Sequence, residues 1–332
     1  PLPRDRLGRP LHDLRVSVIE TCNYRCPYCM PEGLTPEETA LDRARRLDFD
    51  EIETAVRAFV RLGVSKLRLT GGEPLLRKGL PDLVARLAAI PGVEDLALTT
   101  NGSLLAGQAR ALRDAGLHRL TVSLDSLDPA QFNALSGGRG KLADVLAGIA
   151  AAEAAGFARL KINCVLQRGV NDDQALVLAA HFRGTPHVLR FIEYMDVGNC
   201  NGWKREGVLP SAELRDRISA RWPLLPVDAT YRGEVATRYR YVDGRGEVGF
   251  VSSVSEPFCG DCHRARLSAD GQLFTCLFAA HGAPLREHIA QGDEALAAHV
   301  AGLWRQRGDR HSEQRAETAR PSRRIEMFYI GG

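Results

Sequence analysis

Residues 50–74 read DEIETAVRAFVRLGVSKLRLTGGEP, and their pattern decides the fold. Over 50–63 the apolar side chains recur at three- and four-residue intervals, which predicts an amphipathic helix that stops at Gly63. KLRLT then alternates. Leu67 and Leu69 face one way, and Lys66, Arg68 and Thr70 face the other, as in a strand. Working outward, the unit repeats. Strands are expected at 14–20, 66–72, 95–101, 119–125, 158–167 and 187–195. Helix-like stretches lie at 50–63, 79–90 and 141–156, and Gly92, Gly116 and Gly156 mark further helix ends. Such alternation builds βαβ units on a parallel sheet. Six units predict an α/β fold, either an incomplete (βα)6 TIM-like barrel or an open doubly wound sheet.

The strand faces favour the barrel. In RLTVSLD (119–125), Leu120, Val122 and Leu124 alternate with Thr121, Ser123 and Asp125, and in 160–164 Lys161 and Asn163 share one face. A closed barrel fills its centre with branched apolar side chains, and parallel strands covered on both sides read as continuous apolar runs. One polar, cationic face per strand predicts a wet lumen holding a polar ligand; the bland alternative is an edge strand or a frayed sheet face. The lumen set is Arg15, Lys66, Arg68, Lys161 and Arg190. Gathered cations are costly without anions, so a polyanion such as a triphosphate suits them.

The pattern changes after residue 210. A helix is expected at 211–222, then short β runs, two helix-like segments and an arginine-rich run, WRQRGDRHSEQRAETARPSRR (304–324). The expected organisation is a partial barrel over 1–210, a smaller C-terminal module with short β strands and helices over 211–320, and a tail over 321–332. With 332 residues, a formal net charge of +3 and 44% hydrophobic residues, the chain reads as a soluble globular protein. No apolar run approaches bilayer length, and no signal segment is visible, so the cytoplasm is the expected location. The net charge is too small to argue for nucleic acid. The sequence leaves oligomeric state open between monomer and homodimer.

Six of the eight cysteines fall into two trios. CNYRCPYC places Cys22, Cys26 and Cys29 in the loop after the first strand, where βα barrels put their chemistry. Three thiolates can hold a 4Fe-4S cube and leave one iron open; such cubes usually take four cysteines. A structural zinc site is the alternative, although it prefers paired CxxC ligands and a fourth donor. The second trio is Cys259, Cys262 and Cys276 in FCGDCHRARLSADGQLFTCLF (258–278). A hairpin turning at Asp270-Gly271 brings Cys276 back beside the CxxC. Here zinc stays open too, with His263 as a fourth ligand. Cys164 reads as a small core residue, and Cys200 has no assignment.

With Tyr28 before its last cysteine, the first trio resembles the radical S-adenosylmethionine (SAM) superfamily. TGGEP (70–74) is similar to that superfamily's SAM-amino-binding stretch, with Glu73 accepting from an ammonium. The resemblance implies that Tyr28, Gly72, Ser123 and Met195 also touch SAM. Together with the compact second trio, nearly the whole chain resembles the GTP 3′,8-cyclase family of molybdenum cofactor biosynthesis. That resemblance implies two 4Fe-4S clusters, SAM as cofactor and GTP as substrate. It places GTP at Arg15, Arg68, Thr99, Lys161 and Arg190 and at the flanking Arg264 and Arg266, and Lys66 joins them as a member of the lumen set. It also gives catalytic roles to Arg15, Arg264, Arg266 and the final Gly331-Gly332. A reduced flavodoxin- or ferredoxin-type donor would feed electrons, and a cyclic pyranopterin monophosphate synthase would take the product. Two alternatives remain: another twin-cluster radical SAM enzyme acting on a peptide or tetrapyrrole, and a zinc-dependent RNA-binding protein using the basic tail. Arg190 and Met195 have opposite parity, so a bulge or strand end is expected between them.

Overall fold

The structure is a computed structural model that describes residues 2–30, 33, 45–199, 201–315 and 324–331. Cys200, Gly332 and residues 316–323 of the arginine-rich run lie outside them. In chain order the elements are β1 (Asp13–Ser17), α1 (Phe49–Arg61), β2 (Lys66–Thr70), α2 (Leu80–Ala88), β3 (Asp95–Thr100), α3 (Ala109–Asp114), β4 (Arg119–Ser123), α4 (Pro129–Leu135), α5 (Leu142–Ala154), β5 (Lys161–Leu166), α6 (Gln174–Phe182) and β6 (Val188–Glu193). There follow α7 (Ser211–Arg221), β7 (Leu224–Val227), β8 (Thr237–Tyr241), β9 (Glu247–Val251), β10 (Arg264–Leu267), β11 (Gln272–Phe274), β12 (Ala283–Pro284), α8 (Arg286–Ile289), α9 (Asp293–Gln306) and α10 (Met327–Ile330).

The local chemistry matches the elements. Asp48 caps α1 in a reciprocal box with Glu51, satisfying amides that have no partner in the first turn. The helix buries Ile52, Ala55, Val56 and Phe59 against the sheet. Burying each of the larger side chains contributes about 1.5–3 kcal/mol. On β2, Leu67 and Leu69 are buried in the core, while Lys66 and Arg68 stay half-buried on the other face.

Strands β1 to β6 pair in sequence order and in parallel, the open six-unit barrel that the periodicity predicts. Strands from beyond residue 210 enter the same sheet at both edges, a continuity that reading a separate module does not anticipate. β9 pairs with β6 and β10 with β1, each in parallel. Antiparallel strands then finish both edges, giving the order β12-β11-β10-β1-β2-β3-β4-β5-β6-β9-β8-β7. The β10–β11 hairpin forms around Asp270-Gly271, as the turn signal predicts. β6 ends at Glu193, so Met195 lies past the strand and its parity conflict with Arg190 disappears. No helix among the described residues is long and apolar enough to cross a membrane.

Candidate active site

Register decides what faces the lumen. Arg15 on β1 lies opposite Arg266 on β10 and Arg68 on β2. Three guanidiniums therefore stand side by side on neighbouring strands, and like charges directly opposite are destabilising. Arg68 donates to Thr99 Oγ1 at 2.9 Å and to Thr121 Oγ1 at 3.0 Å. Arg190 holds Asn163 Oδ1 through two nitrogens, at 2.9 and 2.7 Å. Gly249, opposite Arg190 on β9, leaves room for it, since a Cβ there would come 3.2 Å from Arg190 Cγ. The Lys66 ammonium sits 3.2 Å from the centre of the Tyr231 ring, a cation–π contact.

These cations are short of anions. Burial and the neighbouring Arg190, Arg119 and Arg68 push Lys161 down to about 6. Burial and Arg68 lower Arg190 to about 9, and burial and Arg264 lower Arg266 to about 10. Arg15 is held well below its usual range by burial and by Arg266, Arg68 and Arg264. A ligand carrying several negative charges relieves all four at once.

One cavity of about 380 Å³ collects both cysteine trios and this cation set. Tyr28, Gly72, Glu73, Ser123 and Met195 line it, as do Arg264 and Arg266, and Arg264 reaches Cys262 Sγ at 3.6 Å. Tyr28 donates to Asp125 Oδ2 at 2.7 Å. Glu73 accepts from Thr100 Oγ1, Asn101 N and Leu75 N at 2.6, 2.8 and 3.0 Å. Burial lifts its carboxyl to about 7. An ionised carboxylate offers roughly four acceptor sites, so one remains for an ammonium. The adjacent glycines serve the chain itself: a Cβ on Gly71 or Gly72 would collide with the carbonyls of Ile19 or Thr21. They dock this loop onto the backbone that leads into Cys22.

The sulfur spacing separates a cube from a single ion. Thiolates on one tetrahedral zinc stand about 3.8 Å apart. Among the described residues, the only group with three ligand atoms mutually within 4.8 Å is His12, Asp13 and His263. Neither trio is that tight, and a cube, whose sulfurs sit on separate irons, fits them better. His263 is turned away from its trio, with Nδ1 3.6 Å from Asp13 Oδ1 and its ring against His12 and Tyr231. The zinc reading with His263 as fourth ligand is thereby corrected. In the first trio, burial and the neighbouring Cys29, Asp125 and Cys22 hold the Cys26 thiol well above its usual range. Thiols that repel one another's charge call for a bound cationic centre.

Residues 324–331 fold back onto the site. Arg266 donates to the Gly331 carbonyl. Gly331 has φ +72°, and a Cβ would lie 2.1 Å from Thr70 Cγ2, so glycine alone fits. Upstream, Asp196 pairs with Arg315 at 2.9 Å and Arg324 at 3.1 Å. Asn199 holds the Arg324 backbone through both its amide groups. The described ends of the arginine-rich run are thus pinned to the loop that carries Met195.

Sequence reading missed several lining residues. Arg119 shares the parity of Thr121 and Ser123, a signal available but not used for it, and Asp125 was placed on that face without a site role. Tyr231 carried no local signal, nor did Arg307, which lies behind the second trio without lining the cavity.

The Radical SAM superfamily model matches residues 16–181, and the Molybdenum Cofactor Synthesis C model matches residues 187–313. The chain is 66% identical over 329 residues to a protein of Xanthomonas campestris pv. campestris named GTP 3′,8-cyclase, covering 99% of this chain and 97% of that one. A protein of the same name from Acidothermus cellulolyticus is 53% identical over 357 residues, covering 99% of each. Among solved structures, Streptococcus suis SuiB bound to its precursor peptide SuiA superposes with a TM-score of 0.65 at 14% identity, over 93% of this chain and 67% of SuiB. That likeness shows the fold alone.

Proposed function

The chain belongs to the GTP 3′,8-cyclase family of radical SAM proteins, and on that premise we propose how its residues divide the work of converting GTP to (8S)-3′,8-cyclo-7,8-dihydroguanosine 5′-triphosphate, the first step of molybdenum cofactor biosynthesis. Its cofactors are SAM and two 4Fe-4S clusters. Cys22, Cys26 and Cys29 would hold one cluster, and Cys259, Cys262 and Cys276 the other. Held by Cys22, Cys26 and Cys29 with SAM bound, the first cluster would supply the one-electron chemistry that cleaves SAM to a 5′-deoxyadenosyl radical able to take the 3′ hydrogen of GTP.

The remaining tasks fall to side chains. Glu73 takes the SAM ammonium, and Tyr28, Gly72, Ser123 and Met195 shape the rest of that subsite. Arg15, Lys66, Arg68, Thr99, Lys161 and Arg190 hold the triphosphate by charge-assisted hydrogen bonds. Arg264 and Arg266 orient the purine end toward the second trio. The gain is positional: the ribose carbon and C8 of one molecule are kept in reacting distance while water is excluded. Gly331, on Arg266, closes the chamber on that side; Gly332 lies outside the described residues. The division into 1–210, 211–320 and 321–332 is then one of roles built on a shared sheet. We place the enzyme in the cytoplasm, as monomer or homodimer, fed by a flavodoxin- or ferredoxin-type donor. It passes its product to a cyclic pyranopterin monophosphate synthase, with no role in nucleic-acid binding.

The observation that carries this reading is a single cationic cavity lined by two three-cysteine sets, neither compact enough for one metal ion. The test uses anaerobically reconstituted protein with dithionite, SAM and GTP. GTP-dependent formation of 5′-deoxyadenosine and of the cyclic nucleotide in equal amounts supports it. SAM cleavage indifferent to GTP would refute it.

A further inference from the structure

Arg307 follows α9 and is almost wholly buried beneath the second trio. Its NH2 nitrogen lies 3.3 Å from Cys262 Sγ, and its NH1 nitrogen donates to the Cys262 carbonyl at 2.7 Å. Asp5 Oδ2 and Asp309 Oδ2 hold it at 3.2 and 3.3 Å, and it stacks on Trp304 with 4.5 Å to the ring centre. Arg9 shares Asp5 at 2.6 Å and donates to the Cys259 carbonyl, also at 2.6 Å. Arg264 reaches the same Cys262 sulfur at 3.6 Å. Three guanidiniums therefore surround this trio, and two carboxylates face them.

The first trio is served differently. Among the described residues its sulfur donors are neutral: Tyr24 N at 3.4 Å and Asn101 Nδ2 at 3.9 Å, both on Cys22. Arg25 reaches the carbonyls of Cys22 and Tyr24 and its charge acts on Cys22, but the carboxylates of Glu73 and Asp125 oppose it at Cys22 and Cys26.

We propose that Arg307, by its N–H to Cys262 Sγ and its fixed charge, sets the reduction potential of the second cluster above that of the first. The proposal rests on the two-cluster reading above. Reducing a cluster by one electron adds negative charge that its sulfurs share. Hydrogen bonds to sulfur and local net charge are among the factors that set such potentials. A guanidinium does not lose its proton in a protein, so its field is permanent, and burial leaves it little screened. Arg307 does not line the cavity; it is a positioning and tuning residue, with Asp5 and Asp309 holding its plane.

The experiment is an EPR-monitored redox titration of the anaerobically reconstituted full chain, with SAM added to mark the first cluster's signal and iron counted in every sample. In the unaltered protein the second couple should titrate at the higher potential. Arg307→Gln should move it downward and leave the first couple in place. Asp309→Asn, which removes an opposing charge, should move it upward. Arg307→Lys should retain most of the original value. An unmoved second couple in Arg307→Gln, equal movement of both couples, or a shift in Arg307→Lys as large as in Arg307→Gln overturns the proposal. If Arg307→Gln loses the second cluster, the direction of the Asp309→Asn shift decides. About four irons per unaltered chain instead of about eight defeats the two-cluster reading itself, and the proposal with it.

Discussion

The two cysteine trios line the same cavity, and within them Cys22 and Cys262 sit in opposite electrostatic surroundings. Around the first, burial leads: it raises the Cys22 thiol to about 11, with Glu73 adding to the effect. In the second, burial alone would raise Cys262, yet the guanidiniums of Arg264 and Arg307 bring it down to about 6, while burial and Asp309 push Cys276 up to about 12; the contrast is one between Cys22 and Cys262. The contrast suits the two tasks. In the proposed division, the site that would give an electron to SAM has, among the described residues, only neutral N–H donors on its sulfurs, and the site that would face the purine has guanidiniums on Cys262.

The largest effect that tests the contrast comes from removing one ligand on each side. Cys22→Ala should abolish 5′-deoxyadenosine formation, by at least about 10⁴-fold, and leave about four irons. Cys276→Ala should also leave about four irons but retain SAM cleavage without the cyclic product. Identical behaviour of the two variants in nucleoside and product assays breaks the division of labour.

A smaller effect reads the thiols directly. In metal-free protein at pH 7, Cys262 is mostly thiolate and Cys22 almost wholly thiol. Lower intrinsic nucleophilicity of the more acidic thiol offsets part of that difference, leaving Cys262 roughly fifty-fold faster toward iodoacetamide. Mass-spectrometric mapping of the modified cysteine checks it. Raising the pH to 9 should shrink the ratio, because only Cys22 gains thiolate there.

Gly331→Ala should cost roughly tenfold in kcat, in line with a strained left-handed residue that also meets Thr70. The measurement is steady-state product formation alongside SAM cleavage. If the Gly331 segment serves only the second-trio side, SAM cleavage should persist while product falls; parallel loss of both activities argues against that placement.

The smallest effect lies between the trios. Lys161 in the free protein is held to about 6 by burial and its cationic neighbours, so it is mostly neutral at pH 8. A bound triphosphate favours the ammonium and moves its pKa back toward the ordinary lysine value. GTP binding at pH 8 should therefore take up about one proton. Calorimetry in buffers of differing ionisation enthalpy reads this, and Lys161→Met should remove the uptake.

Much of the site was legible in the sequence because its signals are local. CxxxCxxC spacing and strand parity involve residues a few positions apart, and they led directly to Cys22, Cys26, Cys29, Arg68 and Lys161. Arg119 obeyed the same parity and was passed over. Arg307 lay in a basic run that resembled a solvated surface, because nothing nearby in sequence marks its burial. His263 looked like a zinc ligand because it follows Cys262, but the backbone turns its ring toward Asp13, which is distant in the chain.

By itself, the amino-acid sequence determined the alternation of strands and helices, the polar face of each strand and the two cysteine sets, since backbone periodicity and ligand spacing are properties of short segments. Tertiary structure alone decided that β9 and β10 extend the barrel sheet at both edges, that Arg266 stands beside Arg15, that Gly331 meets Thr70, and that Arg307 lies under Cys262. Those contacts join residues far apart in the chain, and which of them form depends on how whole faces pack, a property that no local pattern encodes.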